Sequence, residues 1–220
     1  MLLSMNVIEL FSSIDGEGKR QGFLTTFLRL HDCNIRCSYC DTLYSYGTES
    51  TFESMSVQSV ADVIEQLENH RITITGGEPL LQEPAIIELI DELTRRNARY
   101  DFNIETNGTI IPSFHRDNVW FTYDYKTPSS LAEDAMNLDI FKVATPADII
   151  KFVVGSMQDL DRMNEILKTY PTDAQIFVSP VWGNIEGATI IEYMKAHNWQ
   201  NVRFQLQIHK FIWDPDAKGV

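Results

Sequence analysis

Three cysteines, Cys33, Cys37 and Cys40, are all that the chain carries, and they stand in a Cys-x3-Cys-x2-Cys spacing. An odd, crowded set cannot build a disulfide framework. Soft thiolates instead select zinc, copper(I) or an iron–sulfur cluster. Structural zinc wants four closed ligands. Here it would have to recruit His31, just upstream on the tail of an apolar run. A 4Fe–4S cluster used only for electron transfer normally takes four cysteines. Three leave one iron without a protein ligand. That open position can chelate the amino and carboxylate groups of S-adenosylmethionine. Electron transfer into the sulfonium then yields a 5′-deoxyadenosyl radical, which the protein must position and shield.

Other polar groups recur in similar places. Gly76-Gly77-Glu78-Pro79, Glu105-Thr106-Asn107, Asp124-Tyr125-Lys126 and Ser179-Pro180 each follow a short apolar run. Runs at residues 23–30, 72–75, 102–105, 119–123, 149–154, 176–178 and 202–206 predict strands. Apolar positions at helical spacing lie between several of them. Val57, Val60, Ile64 and Leu67 follow a cap at Ser56 or Ser59, and Ile86, Ile87, Ile90 and Leu93 follow Pro84. Leu160, Met163, Ile166 and Leu167 mark a third helix, and Ile190, Ile191 and Met194 a fourth. Near-continuously apolar strands alternating with helices imply an α/β fold, a parallel sheet with helices outside. About six such units make an incomplete (β/α)6-type partial TIM barrel, with its chemistry at the C-terminal ends of the strands. The cysteines and the four polar groups would then converge on one rim.

The 220 residues fit one domain, and neither a linker nor a repeat divides them. The net charge of −13, with no block of basic residues, disfavours nucleic acid. No apolar run is long enough for a membrane span. The first residues lack the basic start and apolar block of a signal peptide, so a cytoplasmic protein is expected. Met5 is a second candidate start.

The cysteine spacing, with aromatic Tyr39 inside it and Gly76-Gly77-Glu78-Pro79 downstream, resembles the radical S-adenosylmethionine superfamily. One family within it is similar from end to end: the 7-carboxy-7-deazaguanine synthases. The likeness rests on FSSIDGEG at 11–18, FLRL at 27–30, CNIRCSYCDT at 33–42, TGGEP at 75–79, IETN at 104–107, KTPSS at 126–130 and QIHKFIW at 207–213.

That resemblance implies conversion of 6-carboxy-5,6,7,8-tetrahydropterin into 7-carboxy-7-deazaguanine with release of ammonia, in 7-deazapurine (queuosine) biosynthesis. Hydrogen would leave C6 of the pterin, the ring would contract, and the hydrogen would return. The implied cofactors are a 4Fe–4S cluster, S-adenosylmethionine and Mg²⁺, with Thr42 giving the protein's oxygen ligand to the magnesium. S-adenosylmethionine would meet Tyr39, Cys40 and Asp41 in the cluster loop and Gly76, Gly77 and Glu78 after the next strand. Glu105, Asp124, Tyr125, Lys126 and Ser179 would complete that set. The pterin would meet Ile14, Asp15, Gly16 and Glu17, with Arg29, Thr75 and the C-terminal Val220. Residues 205–220 would close over the site. A homodimer and an external donor of the flavodoxin or ferredoxin kind are implied as partners. Two departures stand out. Many members carry Ser-Pro-Lys where this chain has Asp124-Tyr125-Lys126, and often Gln where it has Asp15. Two other readings compete with this one: a glycyl-radical-enzyme activase, which shares the cysteine triad, and a non-catalytic metal-binding module.

Overall fold

A computed structural model describes residues 3–47, 49–215 and 217–220. Its frame is one nine-stranded sheet in the order β3-β1-β2-β4-β5-β6-β7-β8-β9. The strands are β1 (Ser4–Ile14), β2 (Leu24–Leu30), β3 (Glu53–Ser56), β4 (Arg71–Gly76), β5 (Asp101–Thr106), β6 (Val119–Tyr125), β7 (Ile149–Val154), β8 (Gln175–Pro180) and β9 (Val202–Phe204). From β2 to β9 every neighbouring pair is parallel, while β1 pairs antiparallel with both β2 and β3. The order is linear, with edges at β3 and β9, so the barrel is open. The sequence pattern anticipates the parallel strands but misses β1 and β3. The residues of β1 mix polar and apolar types, and its pairing with the neighbouring strand fixes it.

The helices are α1 (Val57–Gln66), α2 (Glu83–Arg96), α3 (Ile140–Val143), α4 (Met157–Thr169), α5 (Gly187–Ala196) and α6 (His209–Ile212). Ser56 caps α1, its Oγ accepting from the Ser59 amide at 3.1 Å, and Ser156 caps α4 in the same way. Pro84 sits in the first turn of α2, where no amide donor is needed. The expected alternation breaks between β5 and β6, where residues 107–118 form no helix.

Side chains alternate across each strand, and this decides what the site contains. On one face Ile72, Ile74, Phe102, Ile104, Tyr123, Tyr125, Phe152 and Val178 pack against Ile64, Ile86, Leu89, Leu160 and Ile190 in one apolar core. On the other face Thr73, Thr75, Asn103, Glu105, Thr122, Asp124, Lys151 and Ser179 look into the barrel. Thr122 donates to Asn103 at 2.9 Å there.

The β1–β2 turn forms the floor of the barrel, running under the strands' starting ends. Arg20 is buried in it. Its guanidinium donates to the Ile72 carbonyl at 2.9 Å and to the Thr73 hydroxyl at 2.8 Å, and it lies over the Trp120 ring at 4.6 Å. Its Nε meets Asp15 at 3.0 Å. Strand β9 stops at Phe204, short of the expected residue 206, and the Gln205 amide side chain turns to the floor. It exchanges two hydrogen bonds with the Gly18 backbone, at 2.7 and 2.8 Å.

Candidate active site

The loop after β2 carries all three cysteines. They are free thiols, half-buried, and all open into one cavity of about 270 Å³ at the C-terminal end of the strands. The loop is tied down on both sides. The Ser38 amide donates to the Ser130 carbonyl at 2.9 Å, and Asn107 Nδ2 donates to the Cys33 sulfur at 3.7 Å. Burial disfavours the thiolate and pushes Cys37 up to about 11, even though Lys126 pulls the other way. Iron would reverse this, since a coordinated thiol is held as thiolate.

The glycine motif after β4 packs against this loop. A β-carbon on Gly77 would lie 2.0 Å from the Asp32 carbonyl oxygen and 2.8 Å from Cys33 Cβ. One on Gly76, whose φ is +150°, would lie 2.3 Å from the Leu30 carbonyl oxygen. These glycines are needed for contact between the two loops, before any ligand is considered. Both line the cavity.

The Glu78 side chain turns away from the cavity. It is fully buried and absent from the cavity wall. Its carboxylate accepts from the Thr106 hydroxyl at 2.8 Å, the Asn107 amide at 2.7 Å and the Leu80 amide at 2.9 Å. It fastens the β4 loop to the β5 loop. The Tyr125 ring also points away from the cavity. It lies on the outward face of β6, packs on Phe152 and Phe141, and donates its hydroxyl to Glu133 at 2.8 Å. Only its backbone remains near the rim. Ser179 is buried on the inward face, does not line the cavity, and its Oγ has no partner among the described residues.

The other expected residues do meet. Ile14, Asp15, Gly16, Glu17, Arg29, Tyr39, Asp41, Thr42, Thr75, Glu105, Asp124, Lys126 and Val220 all line the same cavity. Their side chains are not equally available. Both Asp15 oxygens are engaged in the floor, by Arg20 and Thr25 on one and Thr73 at 3.3 Å on the other. Arg29 Nε pairs with Glu9 at 3.3 Å. Thr42 donates to Asp41 at 2.9 Å, and Lys210 stands 3.6 Å from the other Asp41 oxygen. Thr75 donates to Glu105 at 3.3 Å. Burial disfavours the Glu105 carboxylate and pushes it up to about 7, with Lys151 opposing and Glu17 and Asp15 adding to the rise. Lys126 pairs with Asp124 at 2.9 Å, and this attraction outweighs burial to hold the ammonium above its usual range.

The chain's last residues form part of the wall. Lys210, Asp214, Pro215, Ala217, Gly219 and Val220 line the cavity, and Lys218 lies over the Tyr44 ring at 4.1 Å. His209 packs directly on Gly16, where a β-carbon would fall 1.9 Å from Nδ1. The Ile208 amide donates to the Gly16 carbonyl at 3.1 Å.

The residues fit an iron–sulfur cluster with a chelated S-adenosylmethionine. Three thiols share one enclosed wall with a close-packed glycine loop. Asp124 and Glu17 line that wall, and their Oδ1 and Oε1 atoms are buried acceptors without a donor among the described residues. For magnesium the protein's own donors are fewer. Among the described residues no group of three or more His, Cys, Asp or Glu side chains is placed to hold an ion. Thr42 would have to share the ion with substrate and water.

Sequence reasoning missed Lys151. It lies in the middle of β7, in Ile-Ile-Lys-Phe-Val-Val, and only the presence of a charge in an otherwise apolar strand signals it. Its Nζ reaches Glu17 at 2.8 Å and Asp124 at 3.7 Å.

Comparison with known proteins agrees with this geometry. Residues 29–153 match the family model described as the radical SAM superfamily. The 7-carboxy-7-deazaguanine synthase of Clostridium acetobutylicum is 37% identical, over 99% of this chain and 100% of that protein. The synthase of that name from Methanospirillum hungatei is 36% identical, over 96% of this chain and 86% of its own. The crystal structure of QueE from Escherichia coli shares the fold, with a TM-score of 0.70 and 23% identity over 92% of this chain and 93% of that one. No helix among the described residues is long and apolar enough to cross a membrane. The chain belongs to the 7-carboxy-7-deazaguanine synthase family of the radical S-adenosylmethionine superfamily.

Proposed function

We propose that this protein converts 6-carboxy-5,6,7,8-tetrahydropterin into 7-carboxy-7-deazaguanine with release of ammonia, as a radical lyase of 7-deazapurine (queuosine) biosynthesis. The observation that carries the proposal is the shared wall: the three thiols, Arg29, Thr75 and the Gly16–Glu17 turn face one cavity. When bound, the cluster and S-adenosylmethionine supply a carbon radical able to remove hydrogen from C6 of the pterin.

The chain's own residues bind, orient and exclude water. Cys33, Cys37 and Cys40 hold the cluster. Tyr39 and the Gly76–Gly77 backbone border the cofactor, with Glu105, Asp124 and Lys126 at the adjoining strand ends. Arg29 offers a planar fork to the substrate carboxylate, already oriented by Glu9. Thr42 would give Mg²⁺ its protein oxygen ligand, with substrate and water supplying the rest. Ile14 and Gly16 present backbone groups to the flat ring, and Thr75 a hydroxyl. Glu105, held near neutrality, is suited to accept or return a proton at the working pH. Residues 205–220 close the mouth, with Val220 at the substrate, and so favour a small molecule over the protein partner of an activase. A cytoplasmic homodimer served by a flavodoxin- or ferredoxin-like donor completes the proposal.

The test is turnover by anaerobically reconstituted protein with S-adenosylmethionine, Mg²⁺, a reductant and carboxytetrahydropterin. Formation of 7-carboxy-7-deazaguanine is expected. Cleavage of S-adenosylmethionine only beside a partner enzyme, with no pterin product, would overturn the proposal.

A further inference from the structure

Lys151 lines the cavity. It is the one charged side chain of β7, and it is 7% exposed. Its ammonium meets Glu17, from the floor turn, at 2.8 Å and Asp124, from the end of β6, at 3.7 Å. Each carboxylate is held through one oxygen only. The other oxygens, Glu17 Oε1 and Asp124 Oδ1, are buried without a donor among the described residues. A buried acceptor left without a donor is costly. Both residues line the cavity, so a small turn of either carboxylate brings such an atom to a ligand's N–H.

We propose that Lys151 is a positioning residue that fixes the Glu17 carboxylate so that its second oxygen accepts hydrogen bonds from the 2-amino-4-oxopyrimidine edge of the substrate. This rests on the pterin reading of the cavity. The edge carries an amino group and a ring N–H side by side, and a carboxylate is their natural acceptor. Lys151 holds Glu17 through Oε2 and leaves Oε1 without a donor. The same ammonium reaches Asp124, whose other cation is Lys126, so the pterin turn and the cofactor strand end are tied to one buried charge. Without it, Glu17 would lose the cation that orients it and turn away. A displaced Glu17 no longer presents an acceptor at that place.

The test uses the reconstituted full chain as wild type, Lys151→Met, Lys151→Arg, Glu17→Gln and the double Lys151→Met/Glu17→Gln. KM and kcat are measured for carboxytetrahydropterin and for its 2-oxo analogue, which lacks the amino donor. Lys151→Met is expected to raise KM for the pterin roughly tenfold to a hundredfold, with a smaller change in kcat. Preference for the pterin over the 2-oxo analogue should collapse by a similar factor. Lys151→Arg should recover most of both. The double variant should be no worse than Glu17→Gln, because Lys151 acts through Glu17. Should Lys151→Met fail to fold, the double variant, which leaves no unpaired carboxylate at position 17, is compared with Glu17→Gln in its place. KM within twofold of wild type, an undiminished preference, or additive losses in the double variant would overturn the assignment while leaving the function standing. A wild-type protein inactive on the pterin would overturn both.

Discussion

Arg20→Met keeps much of the side chain's apolar stem and removes the guanidinium donors from the barrel floor. In the native floor the guanidinium is nearly inaccessible and serves Asp15 at 3.0 Å, the Ile72 carbonyl and the Thr73 hydroxyl. The variant leaves Asp15 buried with only two hydroxyl partners, from Thr25 and Thr73. Removing one partner of a buried pair typically costs about 3–5 kcal/mol. For a chain of this length that corresponds to a fall in melting temperature of roughly 6–20 °C. The pH dependence supplies a sign. Burial already raises the Asp15 carboxyl above its ordinary value, with Arg20 opposing the rise. A raised carboxyl means that the folded state holds more protons than the unfolded one between the two values, so stability falls as pH rises through that window. Losing Arg20 widens the window upward. The deficit of the variant should therefore be largest near neutrality and shrink as acid neutralises Asp15. Melting of wild type and variant, followed by circular dichroism at about pH 7.5 and about pH 5.5, measures this. Asp15→Asn placed on Arg20→Met should recover part of the loss. A deficit below about 1 kcal/mol, or one that widens on acidification, would refute the reasoning.

Three further outcomes are expected. Cys37→Ala should lack the brown cluster chromophore, fall well short of about four irons per chain and cleave no S-adenosylmethionine, as iron analysis and absorption spectra report. Gly77→Ala forces a β-carbon onto the Asp32 carbonyl and Cys33. It should lower iron loading and melting temperature together, by about 1–3 kcal/mol in the folded protein; full loading would contradict the loop-to-loop packing. Tyr125→Phe loses only a hydroxyl bond to Glu133 in the helical layer. It should cost about 1–3 kcal/mol and leave KM for S-adenosylmethionine within twofold, and a larger kinetic effect would place the ring at the cofactor after all.

The parts of the site that lie in loops after strands were legible in the sequence, because a loop motif is contiguous. The cysteine spacing, the paired glycines and the Gly16–Glu17 turn all reach the cavity. The floor was not legible. Arg20 meets Thr73 and Asp101 only after the β1–β2 hairpin is laid under β4 and β5, and nothing local in residues 15–23 announces that contact. The part played by the Glu78 carboxylate was hidden for a related reason: it is set by three donors that only the folded loops bring together.

Strand parity explains where Tyr125 and Lys151 point and bears on the departure from the family pattern at residues 124–126. Within a strand a motif sends alternate residues to opposite faces, so a three-residue motif cannot present all its side chains to one cavity. At the end of β6, Asp124 and Lys126 face the cavity and Tyr125 faces the helices. Tyr in place of Pro is therefore a matter of the apolar core, where the ring packs on Phe152 and Phe141. Asp in place of Ser is the change that alters the cavity, because it adds a negative charge beside a thiol whose ionisation is already disfavoured by burial. Two ammonium groups answer that charge: Lys126 at 2.9 Å, which the motif includes, and Lys151 at 3.7 Å, which it does not. Parity also places Lys151, since in Ile-Ile-Lys-Phe-Val-Val the lysine occupies an inward position paired in register with Asp124. The departure at position 124 and the lone charge of β7 are thus two sides of one local balance, readable only when adjacent strands are set side by side.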